Sequence, residues 1–172
     1  AIRPRRKYLG SAWSTTTWTL PAHLSMLSSL VPPVHNVRRT NERVSEKVEL
    51  LPERLARAGY RSAAVVSGLF LDRRYGFDQG WEVYDDHTAG LDRQSPFTVP
   101  DRKAEDTVAA AARWIEARSG RQSFAFVHLY DPHFPYQPKE PYLSRHREAP
   151  YYGEVEATDA ALEALLRPIL DG

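Results

Sequence analysis

Thr19, Pro21 and His23 stand at alternate positions just ahead of an apolar run, Leu24, Met26, Leu27 and Leu30. Proline is accepted in the first turn of a helix, so a helix is predicted to start beside Thr19. Unpaired backbone N–H groups and the helix dipole favour an anion at such a place. A hydroxyl there can attack a sulfur or phosphorus centre while the helix end helps to hold the anionic oxygens. Threonine also caps helices, and the local pattern alone favours the cap. His23 lies further on, in the first helical turn.

Other residues have the chemistry but a weaker setting. His133 lies in the loop Pro132-His133-Phe134-Pro135. His128 falls inside an apolar run and reads as a satisfied core histidine. Asp85-Asp86-His87 has the composition of a metal site, but adjacent residues in extended chain point apart, so a solvated turn is expected. The basic cluster Arg3, Arg5, Arg6 and Lys7 reads as a solvated arm, and a net charge of +1 gives no reason to expect a nucleic-acid partner. The absence of cysteine excludes disulfides, thiolate metal sites and cysteine nucleophiles. No apolar run approaches the roughly 18 residues of a membrane span, so no membrane segment is expected. The chain starts with Ala1 rather than Met and shows no signal-peptide pattern, so it is expected to begin inside a longer protein.

Several elements must position these residues. A short helix follows Pro21 and is expected to stop at Pro32-Pro33. A second helix is predicted from about Val48 to Ala58, with Leu51, Leu55 and Ala58 inward and Gly59 as its stop. Arg61 to Ser67 reads as a buried strand, followed by loops from Gly68 to His87 and on to about Asp101. Glu105 to Arg118 is predicted helical, with Val108, Ala111, Ala112 and Ile115 inward, and Ser123 to Tyr130 is the clearest strand. A Pro- and Tyr-rich loop runs from Asp131 to Tyr152, and a last helix from about Glu154 to Leu166 places Val155, Ala161, Leu162 and Leu165 on its apolar stripe. This order predicts an α/β fold, a mostly parallel sheet between helices. Its ligand loops, Ser67–Leu71 and Asp131–Tyr136, lie beyond the strand ends.

The segment from Ala12 to Leu27, with Thr19-Leu20-Pro21-Ala22-His23 at its centre, resembles the nucleophile segment of the sulfatase family. The resemblance continues in order. Leu50 to Ala64 is similar to the family's helix, Gly-Tyr and strand unit. Tyr75-Gly76-Phe77-Asp78-Gln79-Gly80-Trp81 is similar to its Gly-Phe-Asp turn. Phe124 to Tyr136 is similar to its strand and Pro-His loop, and Tyr152-Gly153-Glu154-Val155 with Asp159 to the helix that follows.

The resemblance implies an alkaline-phosphatase-like fold, with residues 1–172 as one catalytic domain incomplete at both ends. It implies a hydrolase for an anionic ester substrate, sulfate or phosphate, in which a metal-bound hydroxyl attacks and a covalent intermediate forms. Thr19 takes the place of the nucleophile and of one ligand to a divalent metal, calcium or another. His23 stands where the family usually has Arg, which implies a catalytic role in holding the nucleophile or an anionic oxygen; the alternative is a plain surface histidine. His133 matches the family's substrate-binding histidine. An extracytoplasmic location is implied as well. The chain departs from the family at three points. Thr19 cannot become the formylglycine aldehyde of true sulfatases, because its extra methyl would give a ketone. Ser67-Gly68-Leu69-Phe70 replaces the usual Lys and His of the leaving-group acid. The family's remaining metal-binding acids are absent, so this chain alone is expected to be inactive, with most metal ligands outside it. A Thr-dependent phosphodiesterase or phosphoethanolamine transferase, or a non-catalytic member that binds an anionic polymer, are the alternatives.

Overall fold

The computed structural model describes residues 10–87, 102–118 and 120–171. Strands β1 (Arg61–Val66), β2 (Val83–Asp85) and β3 (Ser123–His128) form one parallel sheet in the order β2-β1-β3. Register between β1 and β3 runs from Arg61 opposite Ser123 to Val66 opposite His128. Six helices accompany the sheet among the described residues: α1 (Thr19–Ser28), α2 (Pro32–His35), α3 (Leu51–Arg57), α4 (Ala104–Glu116), α5 (Tyr142–Arg145) and α6 (Pro150–Asp171).

The central strand β1 feeds two cores. Ala64 and Val66 pack with Leu20, Leu24, Leu27, Leu71 and Phe77, whereas Val65 packs with Val108, Ala111 and Leu165. In β3, Phe126 joins the first core and Val127 the second. Successive side chains of a strand point to opposite faces, so both faces are covered, as a parallel sheet requires. The α/β class read from the sequence holds.

Several boundaries differ from expectation. β2 lies within the segment expected to be loop; three residues are too short to show a period, and pairing with β1 makes them a strand. α1 ends at Ser28, before Ser29 in the left-handed conformation, and Pro32-Pro33 begin α2 instead of simply stopping α1. Met26, expected to be inward, is 57% exposed, because Leu20, Leu24 and Leu27 already fill that core. α3 is shorter than predicted, with Leu51 and Ala58 exposed and Leu50 and Pro52 buried in their place. The Pro- and Tyr-rich segment contains α5 and the first turn of α6, which starts on Pro150, a residue suited to a helix start. Val155 faces outward. The basic cluster from Arg3 to Lys7 and the stretch 88–101 lie outside the described residues.

Candidate functional site

The register of β1 and β3 brings their carboxyl ends side by side, where ligands bind in parallel sheets. Ser67 Oγ donates to the His128 carbonyl at 2.7 Å, tying the two ends together. A Cβ at Gly68 would meet His128 Cε1 at 3.1 Å and Tyr130 Cδ2 at 3.2 Å. Glycine there lets both rings close over the end of β1.

Thr19 is the first residue of α1, and Trp18 occupies the cap position with extended backbone and no side-chain cap. Thr19 is therefore not the helix cap. His23, one turn on, places Nδ1 2.7 Å from the Thr19 carbonyl. A carbonyl only accepts, so the proton sits on Nδ1, and a neutral ring leaves the Nε2 lone pair available. Burial lowers the His23 pKa against the opposing effect of that hydrogen bond. The ring meets His128 edge to face, with centroids 5.0 Å apart, and Phe126 at 6.3 Å.

Burial, and after it the proximity of His23, push His128 down to about 4. Both rings are neutral near pH 7. His128 Nδ1 is buried without a hydrogen-bond partner among the described residues, so His128 is not the satisfied core histidine that its strand position predicted. A groove of about 340 Å³, lined in part by Trp13, Ser14 and Met26, opens beside His23.

His133 is exposed; its ring stacks on Tyr130 at 4.2 Å, and its Nδ1–H donates to the Phe134 carbonyl at 2.7 Å. Contacts therefore run from His23 to His128, across Gly68 to Tyr130, and on to His133. Thr19 joins through the carbonyl held by His23. The three residues singled out in the sequence gather at one end of the sheet, linked through rings. Sequence placed Gly68 in a ligand loop but gave no signal for the closure of His128 and Tyr130 over it.

Asp131, next to the Pro-His turn, accepts from the Ala104 N–H at 3.0 Å and so caps α4, with Lys103 Nζ at 3.8 Å. Asp85 pairs with Arg102 at 3.0 Å, and Asp86 accepts from the Arg73 backbone and guanidinium. Burial would raise the Asp86 carboxyl, but Arg73 holds it below its usual range. His87 lies 3.3 Å from Asp85. That acidic turn is occupied by arginines. Among the described residues no group of three or more His, Cys, Asp or Glu is placed to hold a metal ion. Thr19 supplies one oxygen where a hard divalent cation takes about six, so the described residues do not fit such an ion by themselves. None of the described helices is long and apolar enough to cross a membrane.

Fold and site together define an α/β protein with a hydroxyl at a helix start beside the carboxyl ends of a parallel sheet. The sulfatase family profile matches residues 7–169, and the chain belongs to the sulfatase family. Among solved structures it is similar to BT4656 in complex with its substrate D-glucosamine-2-N,6-O-disulfate, with TM-score 0.64 and 16% identity over 81% of this chain. It is also similar to Ps i-CgsB in complex with k-i-k-neocarrahexaose, with TM-score 0.70 and 12% identity over 92% of this chain. A second structure of Ps i-CgsB gives TM-score 0.68 at the same identity and coverage. The chain spans 30% of the length of BT4656 and 46% of Ps i-CgsB. No curated protein matches it in sequence.

Proposed function

We propose that this chain carries the nucleophile end of a hydrolase acting on sulfate or phosphate esters, and that a saccharide carries the ester. The carrying observation is Thr19 at the start of α1, not serving as the cap, with His23 fastened to its carbonyl. In this reading Thr19 Oγ1 attacks the sulfur or phosphorus. A bond forms to Oγ1 and the ester oxygen leaves with its electron pair. The hydroxyl proton passes to a base, for which His23, one helical turn away with a free Nε2 lone pair, is the candidate on this chain. The leaving oxygen takes up a proton, and water then releases sulfate or phosphate from Thr19. His133, exposed in the Pro-His loop, binds the anionic group by donating from a protonated Nε2, which then gives up its 3.3 Å contact with the Tyr130 hydroxyl. A divalent metal, when bound, would polarise the ester oxygens. Thr19 would be one of its ligands, with the others outside the described residues.

Family membership supports hydrolysis, and the saccharides bound by BT4656 and Ps i-CgsB support the substrate class. The β-methyl of Thr19 favours phosphate as a second reading, since this residue cannot yield formylglycine and a phosphothreonine can be hydrolysed. An extracytoplasmic location belongs to the same proposal; cell fractionation checks it. Assaying the full-length protein on aryl sulfates and aryl phosphodiesters tests the reaction. Turnover of either, lost in Thr19→Ala, is expected, and turnover undiminished in that variant would sink the reading.

A further inference from the structure

Beyond His133 the Pro-rich loop and the first turn of α6 together carry an unbroken line of exposed aromatic rings. Phe134 is 72% exposed, Tyr136 40%, Tyr151 42% and Tyr152 60%. Their centroids follow one another at 5.8, 5.4 and 5.5 Å, each pair edge to face. Such pairing stabilises rings against each other, but it does not explain why four of them stay in water. Contiguous exposed apolar surface is uncommon and marks a binding surface.

The strip is built from two segments locked together. Gly153 allows the loop to lie on α6, because a Cβ there would come within 2.8 Å of Pro138 Cγ. The Gln137 N–H donates to the buried Glu154 carboxylate at 2.6 Å. These contacts fix Phe134 and Tyr136 beside Tyr151 and Tyr152, so a ligand meets rings already in place and little freedom is lost on binding. The hydroxyls of Tyr136, Tyr151 and Tyr152 make no hydrogen bond to a described residue and offer polar contacts beside the ring faces. Basic side chains flank the start of α6. Arg145 and His146 share Glu156, while exposed Arg147 makes no ion pair with a described residue. Flat apolar faces, free hydroxyls and a flanking cation together match a pyranose chain bearing anionic esters. They match a purely apolar partner less well.

We infer that Phe134, Tyr136, Tyr151 and Tyr152 form a carbohydrate platform that holds the sugar rings of an oligosaccharide while its ester group reaches His133. The inference rests on reading His133 as the binder of the anionic group. It adds a length requirement, because a monosaccharide ester is too short to use the strip.

Calorimetric titration of the protein with a sulfated galactan hexasaccharide, its desulfated counterpart and a monosaccharide sulfate tests this. The hexasaccharide should bind at least about fivefold more tightly than the monosaccharide. Tyr136→Ala and Tyr152→Ala should each lose about that factor for both hexasaccharides and leave the monosaccharide unchanged. Tyr152→Phe should keep most of the affinity. Ring-current shifts of the sugar C–H signals give a second readout on folded protein. Equal affinity for short and long saccharides, or hexasaccharide binding unaffected in both alanine variants, would overturn the platform. So would self-association through the strip that Tyr152→Ala abolishes, with no sugar binding. Failure of the hydrolase reading looks different: the platform would bind as described, and no ester would turn over.

Discussion

Two places in this chain gather the residue types that do chemistry, and they are used in opposite ways. The turn at Asp85, Asp86 and His87 is richer in formal metal ligands, yet Arg73 and Arg102 occupy its carboxylates. The cluster of Thr19, His23, His128 and His133 is poorer in charge. It retains an uncapped hydroxyl, two imidazoles held neutral by burial and an exposed imidazole at the strand ends. Reactive composition is thus a poor guide by itself. What separates the two regions is that arginines pair with the turn's carboxylates, whereas the buried His128 Nδ1 has no hydrogen-bond partner among the described residues.

The sharpest way to break this comparison is to remove one key group from each region. Thr19→Ala should lower turnover by the full-length protein at least about 10³-fold, as loss of a nucleophile does, with the fold intact by circular dichroism. Asp86→Asn should leave turnover within about twofold. If both variants lose activity alike, the distinction between the regions fails.

The buried imidazoles predict a pH response that the acidic turn does not share. His128 has a folded pKa of about 4 against about 6.5 when unfolded, so the unfolded chain binds more protons between these values. Stability is complete above about pH 6.5 and falls as pH drops towards 4, by up to roughly 3 kcal/mol for this group. Thermal melts of the wild type and His128→Gln between pH 7 and 4 check this, and the variant should show the shallower decline.

A smaller effect is expected at Gly68. Gly68→Ala sets a methyl 3.1–3.2 Å from both rings and should cost about 1–3 kcal/mol through overpacking, read as a lower Tm. The smallest is Asp86→Ala, which strips Arg73 of its carboxylate partner. It should cost about 1 kcal/mol in urea denaturation, with activity kept.

Periodicity carries far in this chain where elements are long or fully buried. β1 and the inner face of α4 were legible because Val65 and Val66 sit in a β-branched run and Val108, Ala111 and Ile115 keep helical spacing. β2 was not, because its three residues owe their form to a neighbour distant in sequence. Met26 was misassigned because spacing gives the axis of an apolar stripe but not its width. The candidates Thr19, His23 and His133 came from the resemblance, with the positions of Thr19 and His23 set by local helix rules. The contact of His128 with His23 and the closure of Tyr130 over Gly68 depend on β1 and β3 meeting in register, which no local pattern encodes.

In the proposed reaction Thr19 Oγ1 is the nucleophile. Rapid-quench mass spectrometry of the full-length protein during turnover of an aryl sulfate or aryl phosphodiester tests it most directly. A sulfuryl or phosphoryl group is expected on the peptide containing Thr19, absent in Thr19→Ala. Turnover with no such adduct, and with undiminished rate in that variant, would contradict it.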